Sequence, residues 1–351
     1  MYKEKGEVIL KIGIIGFGKM GMLHGALLNS INGVEIIAIT DTSKLLLSAF
    51  KSVMPSVKYF IKYKEMIDTC KLDAVIIATP SFNHVEIAMY AAEKGLHLFI
   101  EKPLSFDYQS AKELTKYIKG KNIKSLVGFC LRYVPTFDKA KQIIDSGEIG
   151  RIENVSAKMF IADVLEEHNG WRYNKKISGG GVLIDFGVHM IDLLCWYFSN
   201  VKSVCAETKK LYSKEVEDEI YAEIVFENSI KAIFESSWSK PEYRKSYSRI
   251  EIEGETANMI VTDQTIDIIY KNKPSEKITY PDVYKGEYVD IGGINFSIQM
   301  RTFYELINDS TNTNIDIYQA CYVQKIVDLL YKSAENNSIL NLSEGENDDN
   351  R

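Results

Sequence analysis

At 351 residues the chain is long for one compact core, so two domains are expected. Its hydrophobic and charged fractions, 46% and 26%, are those of an ordinary globular protein, and a formal charge of −6 with scattered Lys and Arg argues against a nucleic-acid partner. Nothing reads as a membrane span, Met1 to Gly6 has no apolar signal core, and the five cysteines (Cys70, Cys130, Cys195, Cys205, Cys321) show no CxxC pairing. A cytoplasmic protein with reduced thiols and no metal site is therefore expected.

From Val8 to about Val127, short apolar runs alternate with amphipathic ones, the rhythm of β-α units in a parallel sheet. Strands are read at Val8–Ile15, Val34–Thr40, Val57–Phe60, Ala74–Ala78, His97–Ile100 and Ile123–Val127, mostly apolar on both faces as helix-covered strands must be. Helices are read near Lys19–Ser30, Ser43–Val53, Lys62–Cys70, Asn83–Lys94 and Tyr108–Lys119. After Gly128 the pattern changes. A helix at Thr136–Asp145 leads to period-two strands at Val201–Leu211, Glu219–Phe226, Ile230–Trp238, Ser248–Glu253, Ala257–Val261 and Ile266–Tyr270, which predicts an antiparallel sheet with one packed face. One strong helix, Leu183–Tyr197, interrupts it, and two more near Phe296–Asn308 and Ile317–Ala334 close the chain. The fold class is thus α/β: an amino-terminal doubly wound parallel sheet and a carboxyl-terminal α/β domain with a large open, mainly antiparallel sheet. The expected division is residues 1–128, joined by the carboxyl-terminal helices, then 129–335, then an acidic, disordered tail over 336–351.

The first strand runs into "GIIGFGKMG", giving Gly16-x-Gly18-x-x-Gly21 at a strand-to-helix junction. Gly16 permits a tight turn, Gly18 lets backbone amides approach a pyrophosphate, and Gly21 allows close packing of helix on strand. With Phe17, Lys19 and Met20 this turn would hold a dinucleotide at the positive end of the helix dipole. Asp41, ending the second strand, is placed to accept hydrogen bonds from the adenosine ribose and to repel a 2′-phosphate, which favours NAD and leaves NADP open; capping of the next helix is its other use. The fourth strand ends in "ATPSFNH", so Thr79, Pro80, Asn83 and His84 are candidates to line the cofactor, although His84 could equally be an idle helix-start residue. The fifth ends in Glu101-Lys102-Pro103. A polar strand end often looks like this, but here it delivers Glu101 and Lys102 to the same crevice, where a lysine has little purpose unless its charge or proton is used. A cis peptide before Pro103 is compatible with the pattern.

In "SGGGVLIDFGVHMIDLLCW", Asp185, His189 and Asp192 fall at i, i+4 and i+7, one stripe of a helix. A satisfied hydrogen-bond network, a metal site or an acid-base set would each use that stripe. The three preceding glycines let the backbone pass close to a ligand or another chain. Oxidising a secondary alcohol needs a base for the hydroxyl proton, and a histidine oriented by an aspartate suits the task beside a lysine that holds the oxygen.

Together, the glycine turn, Glu101-Lys102-Pro103 and Gly179-Gly180-Gly181-x-x-x-Asp185-x-Gly187-x-His189-x-x-Asp192 resemble the glucose-fructose oxidoreductase, inositol dehydrogenase and rhizopine-catabolism (Gfo/Idh/MocA) family over about residues 8 to 335. The resemblance implies an amino-terminal Rossmann domain and an open-sheet second domain that often forms the subunit interface, hence a homodimer or homotetramer. It implies hydride transfer between NAD(P) and a sugar, sugar phosphate, sugar nucleotide or inositol, with Lys102, Asp185 and His189 catalytic. "LRYVP" (Arg132, Tyr133) and "GWR" (Trp171, Arg172) look like family segments at the substrate. Arg172, Lys175 and Lys176 either bind a phosphate or carboxylate or form a solvated basic turn. A non-catalytic cofactor-sensing regulator of the same fold is the alternative.

Overall fold

A computed structural model describes residues 9–280, 291–308 and 317–342. The chain divides into two compact units: residues 1–105, 109–128 and 288–321 form the first, and residues 106–108, 129–287 and 322–351 the second. The expected signal-free start at Met1 to Gly6 and the acidic run "SEGENDDNR" lie outside the described residues.

In the first unit, strands β1 (Leu10–Ile15), β2 (Val34–Thr40), β3 (Lys58–Phe60), β4 (Ala74–Ile77), β5 (His97–Ile100) and β6 (Ser125–Val127) alternate with helices α1 (Lys19–Asn29), α2 (Lys44–Lys51), α3 (Tyr63–Thr69), α4 (His84–Glu93) and α5 (Tyr108–Ile118), whose first residue belongs to the second unit. Every pairing is parallel and the order is β3-β2-β1-β4-β5-β6, the doubly wound arrangement in which ligands bind beyond the carboxyl ends of the strands. β4 is wholly buried, as its unbroken Ala-Val-Ile-Ile requires. The unit also takes in a distant helix, α9 (Ile294–Asn308), whose Met300, Phe303 and Leu306 enter one core with Leu27 and Leu28 of α1 and Ile36 of β2.

The second unit holds β7 (Ile152–Phe160), β8 (Val201–Lys209), β9 (Glu219–Phe226), β10 (Lys231–Ser237), β11 (Tyr247–Gly254), β12 (Ala257–Thr262), β13 (Thr265–Tyr270), β14 (Glu276–Thr279) and β15 (Leu340–Asn341), in the order β14-β13-β12-β11-β7-β10-β9-β8-β15. β7 pairs parallel with β10, and the other pairings are antiparallel. Helices α6 (Pro135–Asp145), α7 (Lys175–Ser178) and α8 (Val188–Phe198) belong to this unit, and α10 (Ile317–Asn336) starts in the first unit and continues into it. Alternate residues of β9 and β10 (Ile220, Ala222, Ile224; Ala232, Phe234) are buried, whereas Tyr221 and Ile233 point outward at 41% exposure each. The tail expected from residue 336 differs in its first part, because Leu340–Asn341 pairs with β8 and caps that edge of the sheet. One stretch, Lys175–Phe198, holds an 18-residue window apolar enough to pass for a membrane span, but 72% of that window lies in the interior, as in a core helix.

Candidate functional site

In the first unit the glycine turn takes the form that a dinucleotide requires. Gly16 adopts φ +87°, and a Cβ there would lie 2.6 Å from the carbonyl oxygen of Ala78 at the end of β4. A Cβ on Gly21 would fall 2.0 Å from the carbonyl oxygen of Gly16, so α1 can approach the turn only with glycine at that position. At Gly18, the N-cap of α1, a Cβ would meet nothing within 4 Å. The helix start therefore presents backbone amides to open space, a cradle into which a pyrophosphate fits.

Asp41 stands at the end of β2 as expected, but it is not the helix cap. Ser43 caps α2, accepting from the Leu46 amide at 3.3 Å, while Asp41 accepts from the amides of Phe17 and Ser43, each at 2.8 Å. The carboxylate thereby fixes the glycine turn against β2 and retains lone pairs for a ribose hydroxyl. Phe17 contributes to this tie through its backbone; its ring is in the core, edge-on to Phe50. Lys19 and Gly18 are exposed and Met20 is half-buried.

At the end of β4, Thr79, Pro80 and Asn83 are half-buried. His84 is enclosed at 1% exposure, with Nδ1 2.9 Å from the Pro103 carbonyl and Nε2 2.8 Å from the Thr79 carbonyl. It ties the β4 loop to the β5 loop instead of lining the crevice, and burial pushes its pKa below the usual histidine range. Glu101 is likewise turned inward. Its Oε1 lies 2.5 Å from Nε2 of buried His24 on α1, and its Oε2 accepts from the Lys102 amide at 3.1 Å. Burial alone would raise this carboxyl, but the bond to His24 and the adjacent Lys102 charge hold it below the usual range. The Lys102–Pro103 peptide is cis. Lys102 thus follows a strand end secured by two buried histidines. Sequence reasoning missed His24; its only signal was a polar residue on the inward face of α1.

In the second unit, the stripe read across Asp185, His189 and Asp192 is broken by a π-helical segment, Leu183–Gly187, that precedes α8. Asp185 lies in this segment and His189 in the first turn of α8, where its ring meets that of Phe129 edge-on at 6.2 Å. Asp192 belongs to a separate pair: Arg132 donates to it through Nε at 2.8 Å and Nη2 at 2.6 Å, both side chains are buried, and the guanidinium covers Trp196. Tyr133 is buried with Arg132. Trp171 is exposed, and Arg172 donates through Nε to Asp185 and through Nη1 to Asp163, each at 2.6 Å, while lying over the Trp238 ring.

The three glycines come close to their own unit. A Cβ on Gly180 would sit 2.0 Å from the Tyr331 hydroxyl, and one on Gly181 would sit 2.1 Å from the Glu217 carbonyl oxygen. Glu217 accepts from the amides of Gly181 (2.9 Å) and Leu183 (3.0 Å) and from the Tyr331 hydroxyl (2.8 Å), so it anchors the start of the segment that carries Asp185. Next to it, Asp218 accepts five hydrogen bonds: from the amides of Leu211, Tyr212 and Ser213, the Ser213 hydroxyl and Trp238 Nε1. Nothing in "VEDEI" distinguishes these two interior acids from surface charge.

Residues 10–129 match the model of the oxidoreductase family with an NAD-binding Rossmann fold, and residues 137–260 match that of the GFO/IDH/MocA C-terminal domain. The chain is similar to levoglucosan dehydrogenase of Pseudarthrobacter phenanthrenivorans, at 27% identity over 79% of this chain and 81% of that protein. It is also similar to glucose-6-phosphate 3-dehydrogenase of Bacillus subtilis, at 29% over 61% and 63%. The solved structure of a levoglucosan dehydrogenase in complex with NADH and levoglucosan superposes with a TM-score of 0.86, covering 95% of this chain and 100% of that one at 24% identity, a likeness of fold.

Proposed function

Since the chain belongs to the Gfo/Idh/MocA oxidoreductases and carries their NAD-binding Rossmann domain, we propose that it moves hydride between NAD and a secondary alcohol of a sugar or cyclitol. The observation that carries this reading is how each candidate is held: Lys102 follows a strand end fixed by His24 and His84, and Asp185 and His189 stand four residues apart on a segment anchored by Glu217. Bound NAD supplies the hydride acceptor, held by the amides around Gly18, Lys19 and Met20 and by Asp41 at the adenosine ribose. His189 takes the hydroxyl proton, Asp185 orients the imidazole, and the Lys102 ammonium binds the substrate oxygen as it gains alkoxide character. Trp171 and Arg172 offer a ring and a donor fork to the substrate. The ketone-reducing direction uses the same residues. The enzyme acts in the cytoplasm as a dimer or tetramer.

The test is a set of three variants. Lys102→Ala and His189→Ala should each lower turnover by ~10²-fold or more with NADH affinity kept, and the double variant should lose far less than the product of the two, because both groups act on one hydroxyl. His189→Ala should also flatten the acidic limb of the pH profile. Near-normal turnover in Lys102→Ala would sink the assignment.

A further inference from the structure

The relatives include an anhydrosugar dehydrogenase and a sugar-phosphate dehydrogenase by name, so family membership leaves the charge of the substrate open. The charges around Asp185 do not. Arg172 pairs with Asp185, and it is shared between Asp185 and Asp163, each at 2.6 Å. Its guanidinium lies 4.9 Å from the centroid of the Trp238 ring, and Trp238 Nε1 donates to a third carboxylate, Asp218, at 2.6 Å. Two carboxylates thus flank one guanidinium, and a third lies across the Trp238 ring from it. Other cations of this unit are paired with carboxylates too: Lys175 with Glu335 at 2.8 Å, Lys214 with Glu167 at 2.6 Å, and Lys240 with Glu219 at 2.7 Å. Arg132 is buried against Asp192. Lys176, exposed on the four-residue α7, has no carboxylate beside it among the described residues.

We propose that this face selects an uncharged polyol, a free sugar or cyclitol, over its phosphorylated counterpart, with Asp163 as the residue that sets the preference. The inference rests on the dehydrogenase reading for its placement of substrate beside Asp185. Carboxylates accept hydrogen bonds and a guanidinium donates them, so a diol, which does both, matches the Asp163–Arg172–Asp185 array. A phosphate brings about −1.5 to −2 charges and accepts only, so it meets a surplus of negative charge where it needs donors.

The experiment compares matched pairs, glucose with glucose 6-phosphate and myo-inositol with its monophosphate, on the full chain. NADH formation gives kcat/KM, and calorimetry on NADH-loaded protein gives Kd. The neutral member should lead by tenfold or more in both, and Asp163→Asn, which releases part of Arg172 and removes one negative charge, should narrow the ratio at least threefold. Lys176→Ala should leave the ratio unchanged. Equal or better use of the phosphorylated member by the wild-type protein overturns the proposal whether or not the variant folds, as does an unchanged ratio in a folded Asp163→Asn. Calorimetric preference for the neutral member with no turnover of either supports it and sinks the dehydrogenase reading alone; absence of binding by every neutral polyol sinks both.

Discussion

Asp218 shows how one carboxylate organises a neighbourhood. Burial opposes its charge, yet five donors converge on it and hold its pKa below the ordinary aspartate value. The folded state therefore favours the ionised form: the contribution is fully present above the unfolded pKa, about 4, and is lost as pH falls through the lower folded value. Asp218→Asn should destabilise the protein by about 1–3 kcal/mol at neutral pH, and urea titrations should show the difference from wild type closing below about pH 4. A difference that stays constant with pH would mean that shape, not charge, is what the five donors require. Asp41 invites a different test. Its two amide bonds use one carboxylate oxygen each, so Asp41→Asn should keep one of them while removing the charge that repels a 2′-phosphate. Fluorescence titration should then find NADPH gaining on NADH; a wild-type protein that already binds NADPH more tightly would make Asp41 a backbone tie only.

The segment entering α8 is built by exclusion. Tyr331 and the Glu217 backbone occupy the space that side chains at residues 180 and 181 would need. Gly180→Ala should cost about 2 kcal/mol or more through overpacking, and Tyr331→Leu should recover part of that loss in the double variant because the obstructing ring is gone. Gly181→Ala should not be recovered, since its obstacle is backbone. Thermal denaturation of the four single and double variants reads the coupling directly. The glycine run announced close approach, but sequence had no means of naming the approaching group, which comes from about 36 to 150 residues away in the chain. The Rossmann half was legible to within a few residues, because most of its strands are apolar runs between turn residues. The π-helical segment was not, since one extra residue in a helix already apolar on most faces leaves hydrophobic spacing nearly unchanged. β7 and the short β14 and β15 also escaped notice; β7 alternates weakly, and the other two are four and two residues long. At the site, Glu-Lys-Pro and Asp-x-x-x-His were visible as motifs, whereas His24, Asp163 and Asp218 act through pairings that no local pattern encodes.

Across the molecule, the nine-stranded sheet leaves one face with Tyr221, Ile233 and Ile269 outward at 41–46% exposure among paired charges such as Lys158–Glu235 and Arg249–Glu251. Such a mixed, extended face suits a second copy of the chain, and light scattering at micromolar concentration should give a dimer or tetramer; a monomer would remove the oligomer from the proposal. The route of the chain through its two units has a further consequence, for synthesis. The Rossmann core is closed by Met300, Phe303 and Leu306, which leave the ribosome more than 170 residues after β6. During that interval the nascent first unit carries a bare apolar flank along α1 and β2, and translation at about 5–20 residues per second makes the wait some ten to thirty seconds. A chain interrupted after Gly128 would hold the glycine turn and all six parallel strands, yet lack the helix that packs on α1 and β2. The first unit therefore completes its core only after α9 has been made.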